Sequence, residues 1–347
     1  MTRKTELELD RRTFIKLGVG AATVAATGVG LAGEEAAASV PARAESPLGA
    51  RLSRAEGPLK VTGNARYAIE QTLPNMAYGV TVQSTRPAGR VVGIDTSAAL
   101  ALPGVIDVYT PQRPLKLNKP TVYSKGGGAT EEFTPLQDDV IRFNGMHLAL
   151  VVADTFEQAT EAASLLKIDY EDAAPILDLN DAKATAQVVD AMGASWGDAA
   201  AALASAEVKV DVAYTTAREY NVPLEPHACI ASWQDGQMTV WEPSQWVGGA
   251  RRVVSEWLGI DIEKVRVISP YVGGGFGSKI GAHPHVGLAC AASRQLGRPV
   301  KVSLTRPQTF TGLGGRPATR QTLSIGASKD GRISAIVHES WNETAID

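Results

Sequence analysis

From Gly57 onward apolar and polar positions alternate in short runs, and glycine and proline punctuate them. Ala77 to Val82 and Arg90 to Asp95 read as strands. Thr96 to Leu102 reads as a short helix stopped by Pro103-Gly104, and Val105 to Thr110 resumes as a strand. Thr121 to Asp139, with the triplet Gly126-Gly127-Gly128, reads as a loop. His147 to Ala153 is a buried apolar run, and Thr155 is placed to cap a helix that ends near Leu166. Lys167 to Glu171 closes this first α/β unit. Pro175 to about Glu207 is Ala-rich with weak periodicity, which predicts a connector. Val208 to Tyr214 then alternates as a strand, and Ala228 to Trp233 and Gln237 to Glu242 flank Asp235-Gly236, a strong hairpin signal. Gly249 to Leu258 suits a helix, Val265 to Ser269 a strand, Gly281 to Gln295 a helix and Val300 to Leu304 a strand, with a turn at Ser328 to Gly331. Strands and helices mix without a regular βαβ order or a solenoid period, which predicts an α+β fold in two parts.

A chain of 347 residues has room for about two domains, and 44% apolar against 20% charged residues supports a sizeable core. The 34 basic and 37 acidic residues leave a net charge of −3, with no basic footprint for nucleic acid. Two cysteines, Cys229 and Cys290, fall short of the four thiolates an iron–sulfur cluster usually takes and exclude a disulfide framework. Residues 1–45 read as an address. Arg11-Arg12, Phe14 and Lys16 precede a charge-free stretch from Leu17 to Gly33, shorter than the ~20 residues of a helical span. Ala-x-Ala sites follow at Ala36-Ala37-Ala38 and Ala42-Arg43-Ala44. That order describes a twin-arginine signal and export to the periplasm, ahead of a membrane anchor or a chance arginine pair before an apolar helix as the alternatives. The twin-arginine route carries folded proteins, which favours a bulky cofactor inserted in the cytoplasm.

The densest chemical signal is Tyr271-Val272-Gly273-Gly274-Gly275-Phe276-Gly277-Ser278-Lys279, where glycines after a strand let backbone N–H groups approach a ligand. It is not a P-loop, because Ser278 precedes Lys279 and Ile280 follows. Nor is it a Rossmann fingerprint, because Ser278 takes the last glycine position. Gly193-Ala194-Ser195-Trp196-Gly197 satisfies the G-x-S-x-G pattern, but Gln187 to Met192 is a poor strand, so a serine hydrolase using Ser195 is the weaker reading. His283-Pro284-His285 and His227-Ala228-Cys229 contain residues able to ligate a metal, yet no third ligand is near in sequence. A surface or core-satisfying role accounts better for each, and Cys290 reads as a small buried hydrophobe.

Several motifs resemble, in order, one known family. Gly57 to Tyr67 looks like the start of the α/β hammerhead domain of molybdenum hydroxylases. Leu224-Glu225-Pro226-His227-Ala228-Cys229, Trp233 and Trp241-Glu242-Pro243-Ser244-Gln245 resemble the start of their molybdopterin-binding region. Val272 to Lys279 is similar to the family's GGGFGGK segment, with Ser278 in place of a glycine. Gly315 to Thr319 and His338 to Trp341 are like those of periplasmic aldehyde oxidoreductases within the xanthine dehydrogenase group. The resemblance implies a hammerhead domain over 57–172, a connector over 173–207 and the first part of a molybdopterin-binding domain over 208–347.

Residue by residue, the resemblance implies that Gln245 hydrogen-bonds an oxo ligand of molybdenum. Gly274, Gly275, Phe276 and Gly277 would bind the cofactor, Gly277 through its N–H. Arg316 would stabilise charge developing on the substrate oxygen, a role that works best in a dry pocket. Ile280 stands where purine-oxidising members carry a glutamate, which favours aldehydes over xanthine. No protein side chain would ligate the metal. The implied reaction turns an aldehyde into a carboxylic acid with oxygen from water. The cofactor would be molybdopterin, with the cytosine dinucleotide form open. Electrons would leave through an iron–sulfur subunit and an FAD subunit. The family's catalytic glutamate has no counterpart here, and neither Glu339 nor Glu343 matches its motif. A further polypeptide carrying the rest of the large subunit is therefore expected, and a non-catalytic remnant that binds partner subunits is the alternative.

Overall fold

The computed structural model describes residues 52–122, 125–179 and 193–343. The elements belong to the unit that begins at Pro58. The first part of the chain contributes β1 (Ala77–Gln83), β2 (Gly89–Asp95), α1 (Ser97–Leu100), β3 (Val105–Tyr109), β4 (Val140–Ile141), β5 (His147–Ala153), α2 (Phe156–Ser164) and β6 (Lys167–Asp172). After α3 (Ala199–Ser205) come β7 (Val208–Thr216), β8 (Ala228–Gln234), β9 (Gln237–Trp241), α4 (Val247–Leu258), β10 (Val265–Ile268), α5 (Pro284–Leu296) and β11 (Val300–Ser303). The last elements are α6 (Arg306–Gly312), β12 (Thr319–Ala327) and β13 (Ile333–Asn342). This is the α+β architecture that the patterning predicts.

Local chemistry explains why the elements begin and end where they do. Thr155 caps α2 by accepting from the Gln158 N–H, and the Gln158 side chain closes the capping box. Asp235 and Gly236 both take positive φ, 51° and 75°, which the tight hairpin between β8 and β9 requires. Gly259, at φ 61°, ends α4 in the left-handed conformation.

The expected division of the chain is not a division of the sheet. One seven-stranded sheet runs in the order β10-β9-β8-β11-β1-β5-β3, so strands from both parts are hydrogen-bonded into a single surface. The seam is the parallel pair β1 and β11, which sets Ala77 against Val300 and Gly79 against Val302. Every residue of β5 is buried. Leu150 and Val152 face the main core beside Trp257, Leu288 and Val302, while Val151 faces a second cluster with Ala99 and Ala162. That is the period of a strand covered on both faces, and it explains the unbroken apolar run. Two three-stranded sheets, β4-β2-β6 and β13-β12-β7, complete the described residues.

Gly79 permits the seam. A Cβ there would stand 2.8 Å from a Val302 methyl and 3.0 Å from a Leu150 methyl. Gly79→Val is therefore expected to lower the unfolding free energy by about 1–3 kcal/mol through overpacking. Urea denaturation checks this, and a wild-type midpoint would show that the seam is loose.

Candidate functional site

Sheet direction gathers the site. β9 and β10 are parallel, and β8 runs antiparallel to β9. The segment after β9 (Glu242 to Gln245), the glycine-rich loop after β10 and the residues before β8 (Asn221 to His227) therefore meet at one end of the sheet. β11 and β1 are parallel and β5 is antiparallel to β1, which brings His147, the first residue of β5, to that same end.

Four side chains hold the glycine-rich loop. Gln245 Oε1 accepts from the Gly277 N–H at 3.0 Å and from the Lys279 N–H at 3.3 Å, and the Gln245 N–H donates to the Lys279 carbonyl at 2.7 Å. Glu225 Oε2 accepts from the Gly273 N–H at 2.7 Å and from Lys279 Nζ at 2.7 Å. The Lys279 ammonium, fully shielded from solvent, also donates to the Glu225 carbonyl at 3.0 Å. Asn221 Nδ2 donates to the Phe276 carbonyl at 2.9 Å. This last bond steadies a residue that sits at φ 54°, a conformation an aromatic residue rarely takes. Gly273 and Gly275 are needed for close approach, since a Cβ would stand 2.5 Å from the Glu225 Cβ and 2.3 Å from Gln245 Oε1.

Of the residues singled out in the sequence, Gln245, Gly274, Gly275, Phe276 and Gly277 come together here. Phe276 and Ile280 are exposed, at 62% and 42%. The Gly277 N–H, expected to face a ligand, donates to Gln245 Oε1 in this structure. The N–H groups of Gly274, Gly275 and Phe276 have no hydrogen-bond partner among the described residues. Neither does the Gln245 amide nitrogen, which the two bonds to Oε1 identify as the free donor. The loop thus presents hydrogen-bond donors to an acceptor-rich ligand, which suits the oxo and pterin oxygens of a molybdenum cofactor.

Arg316 reaches the same neighbourhood indirectly. It exchanges backbone hydrogen bonds with Glu219 at 2.8 and 3.1 Å, two residues before Asn221. Its guanidinium is 67% exposed and faces the Glu219 carboxylate at 3.7 Å. A cavity of about 300 Å³ opens between Lys119, Phe133, Gln137 and Arg142 and contains none of these residues. Ser195 lies in an exposed irregular segment, and Gln187 to Met192, weighed as the strand a nucleophile elbow needs, lies outside the described residues.

Sequence reasoning missed Glu225, Lys279 and a histidine cluster under the loop. His227 and His283 both place Nε2 on the Ser278 carbonyl, at 3.1 and 2.6 Å. Burial holds His227 down to about 3 and His147 to about 4, and keeps His285 well below its ordinary value. Burial opposes a charge on His283 as well, but the Glu131 carboxylate and the Ser278 carbonyl outweigh it and the net direction is upward. Burial pushes Glu242 up to about 7 against the pull of His283 and Lys279. Among the described residues no three His, Cys, Asp or Glu side chains are arranged to hold a metal ion.

The fold and the loop define the class of protein: an α/β hammerhead domain followed by a molybdopterin cofactor-binding domain. Residues 62–174 match the family model "aldehyde oxidase and xanthine dehydrogenase, a/b hammerhead domain", and 181–346 match "molybdopterin cofactor-binding domain". The chain belongs to the aldehyde oxidase and xanthine dehydrogenase family. It is 40% identical over 302 residues to the aldehyde oxidoreductase molybdenum-binding subunit PaoC of Escherichia coli K12, covering 85% of this chain and 40% of that one. It is 32% identical to the carbon monoxide dehydrogenase large chain of Afipia carboxidovorans, covering 83% and 38%. Reconstituted CO dehydrogenase from Oligotropha carboxidovorans superposes with a TM-score of 0.73 at 30% identity, over 84% of this chain and 39% of that one. Quinoline 2-oxidoreductase from Pseudomonas putida 86 superposes with 0.73 at 28% identity, over 83% and 38%. The chain thus spans about two fifths of the length of the curated relatives it matches.

Proposed function

We propose that this chain holds the metal end of a molybdopterin cofactor in an enzyme that oxidises aldehydes to carboxylic acids with oxygen from water. The observation that carries the reading is the carboxamide of Gln245. Two loop N–H groups fix its oxygen, so its amide nitrogen is left as a donor of set direction. When bound, the cofactor would supply two-electron oxidation and the site of water-derived oxygen. The chain's part is to bind and orient: Gln245 donates to an oxo oxygen, and the N–H groups of Gly274, Gly275 and Phe276 meet further acceptors. Arg316 would offset negative charge on the substrate oxygen. Ile280 gives the substrate side an apolar residue that cannot pair with purine donors, which favours aldehydes, aromatic ones included. Iron–sulfur and FAD subunits would take the electrons. Export through the twin-arginine route would place the assembly in the periplasm, and the signal residues 1–45 lie outside the described residues.

Gln245→Glu separates the two ends of the carboxamide. A carboxylate still accepts from the Gly277 and Lys279 N–H groups but has no donor to offer. The variant is expected to keep the wild-type unfolding midpoint and to purify with at least about tenfold less molybdenum per chain by elemental mass spectrometry, the loss of one hydrogen bond to a charged group. Wild-type molybdenum content in the variant would remove Gln245 from the site.

A further inference from the structure

Four of the chain's five histidines lie at the sheet end that carries the glycine-rich loop, and nothing in the proposed reaction uses them. The His227 ring is 5.4 Å from that of His283 and 6.4 Å from that of His285, and His283 stacks on His285 at 6.3 Å. Their hydrogen bonds decide where the protons sit. His283 Nε2 lies 2.6 Å from the Ser278 carbonyl oxygen and Nδ1 lies 3.6 Å from Glu131 Oε1. Both neighbours are acceptors. A neutral imidazole has one N–H and would turn a lone pair towards one of them. His227 is different: Nε2 donates to Ser278 while Nδ1 is buried without a partner, as suits a neutral ring. His285 Nδ1 and both nitrogens of His147 are also buried and unpartnered, surroundings that offer a second charge nothing.

We propose that His283 is a buried imidazolium, held by Glu131, that positions the glycine-rich loop through the Ser278 carbonyl. The role for cofactor binding rests on the reading above. Ser278 lies between the two residues, Gly277 and Lys279, whose N–H groups fix Gln245. Two donors on its carbonyl, one of them charged, keep that peptide from turning, and a charge-assisted bond is about twice as strong as a neutral one. The groups that face His283 come from every side. Glu131 belongs to the loop before β4, Glu242 follows β9, His147 starts β5, His227 precedes β8 and His285 lies in the first turn of α5, just after His283. Glu131 supplies the nearby carboxylate, and the other three histidines of the cluster stay neutral, so none of them adds a like charge beside His283.

The test is carried out on the full chain without cofactor. Histidine-selective NMR near neutral pH, assigned through single His→Gln substitutions, is expected to show His283 charged and His147, His227 and His285 neutral. Glu131→Gln should discharge His283. Hydrogen exchange of residues 273–279, corrected for intrinsic rates, should then run roughly tenfold faster, as expected for losing a charge-assisted bond. In the wild type the same protection should fall as pH rises through the deprotonation of His283. In Glu131→Gln it should be low throughout, and Glu131→Asp should restore part of it. A neutral His283 in the wild type, with the proton on Glu131 or absent, overturns the proposal, as does unchanged loop protection in Glu131→Gln. Molybdenum content of the wild-type protein is read separately. Its absence beside a charged His283 would reject the cofactor reading and leave the positioning role of His283 standing.

Discussion

Glu225→Ala is expected to destabilise the protein by about 3–5 kcal/mol, because it strands a buried ammonium. Lys279 Nζ has no solvent exposure, and in the wild type its bonds go to the Glu225 carboxylate at 2.7 Å and the Glu225 carbonyl at 3.0 Å. The substitution also leaves the Gly273 N–H without its acceptor. Burial already lowers Lys279, against the pull of Glu225, so the variant would answer by giving up a proton, and its stability should recover partly at alkaline pH. Adding Lys279→Met removes the stranded charge. The double variant should therefore be more stable than Glu225→Ala alone, with a coupling energy of at least about 1 kcal/mol for residues in direct contact. Denaturant unfolding of the four proteins measures the cycle. A Glu225→Ala cost below about 1 kcal/mol, within the range of an exposed ion pair, would mean that water reaches Lys279 and the pair does not hold the loop.

This pair also shows where the sequence stops being readable. The loop itself is legible, because glycines after a strand have few other uses and the order of motifs around Gln245 narrows them further. The strands around it are legible through their two-residue period, and Thr155 and Asp235-Gly236 mark an element's start and a turn by chemistry that acts within a few positions. Glu225 and Lys279 lie 54 residues apart, and no local pattern says that they meet. The seam between β1 and β11 joins residues as distant as Ala77 and Val300, which is why the two parts of the chain read as separate. Each histidine, taken singly, gives little. The cluster exists only because strand direction brings the start of β5, the residues before β8 and the start of α5 to one end of the sheet. β12 and β13 escaped notice for another reason. Their nine and ten residues leave mostly exposed or half-buried positions, so backbone pairing rather than a buried face defines them. α6 carried a signal that could have found it, the capping box of Thr305 and Gln308.

The histidines that stay neutral lead to the second large effect, a steep loss of stability in acid. His147, His227 and His285 are held below the ordinary value of 6.5, the first two at about 4 and about 3. Above pH 6.5 they are neutral in both folded and unfolded chains and cost nothing. As pH falls below 6.5 the unfolded chain binds protons that the folded chain refuses, so stability drops until the folded values are reached. Glu242 works in the opposite sense. Its folded value of about 7 lies above the ordinary 4.5, so its contribution is complete below 4.5 and is lost as pH rises towards 7. His283 is raised, so its contribution is already complete below 6.5 and adds no slope there. Between about 6.5 and 4.5 three histidines therefore oppose one carboxyl, and unfolding takes up a net of roughly two protons, a slope of about 2–3 kcal/mol per pH unit. Below 4.5 the offset from Glu242 fades, but folded His147 takes up its own proton near 4 and His227 near 3, so the slope stays near two protons and then declines. Urea unfolding across this range measures the slope directly. His227→Gln is expected to reduce it by one proton, about 1.4 kcal/mol per pH unit, whatever its effect on stability at neutral pH. A slope that is flat between pH 6.5 and 4.5, or unchanged in His227→Gln, would mean that these rings titrate as freely in the folded protein as in the unfolded chain. The sheet end would then be open to water, and neither the neutral histidines nor the shielded Lys279 could exist as described.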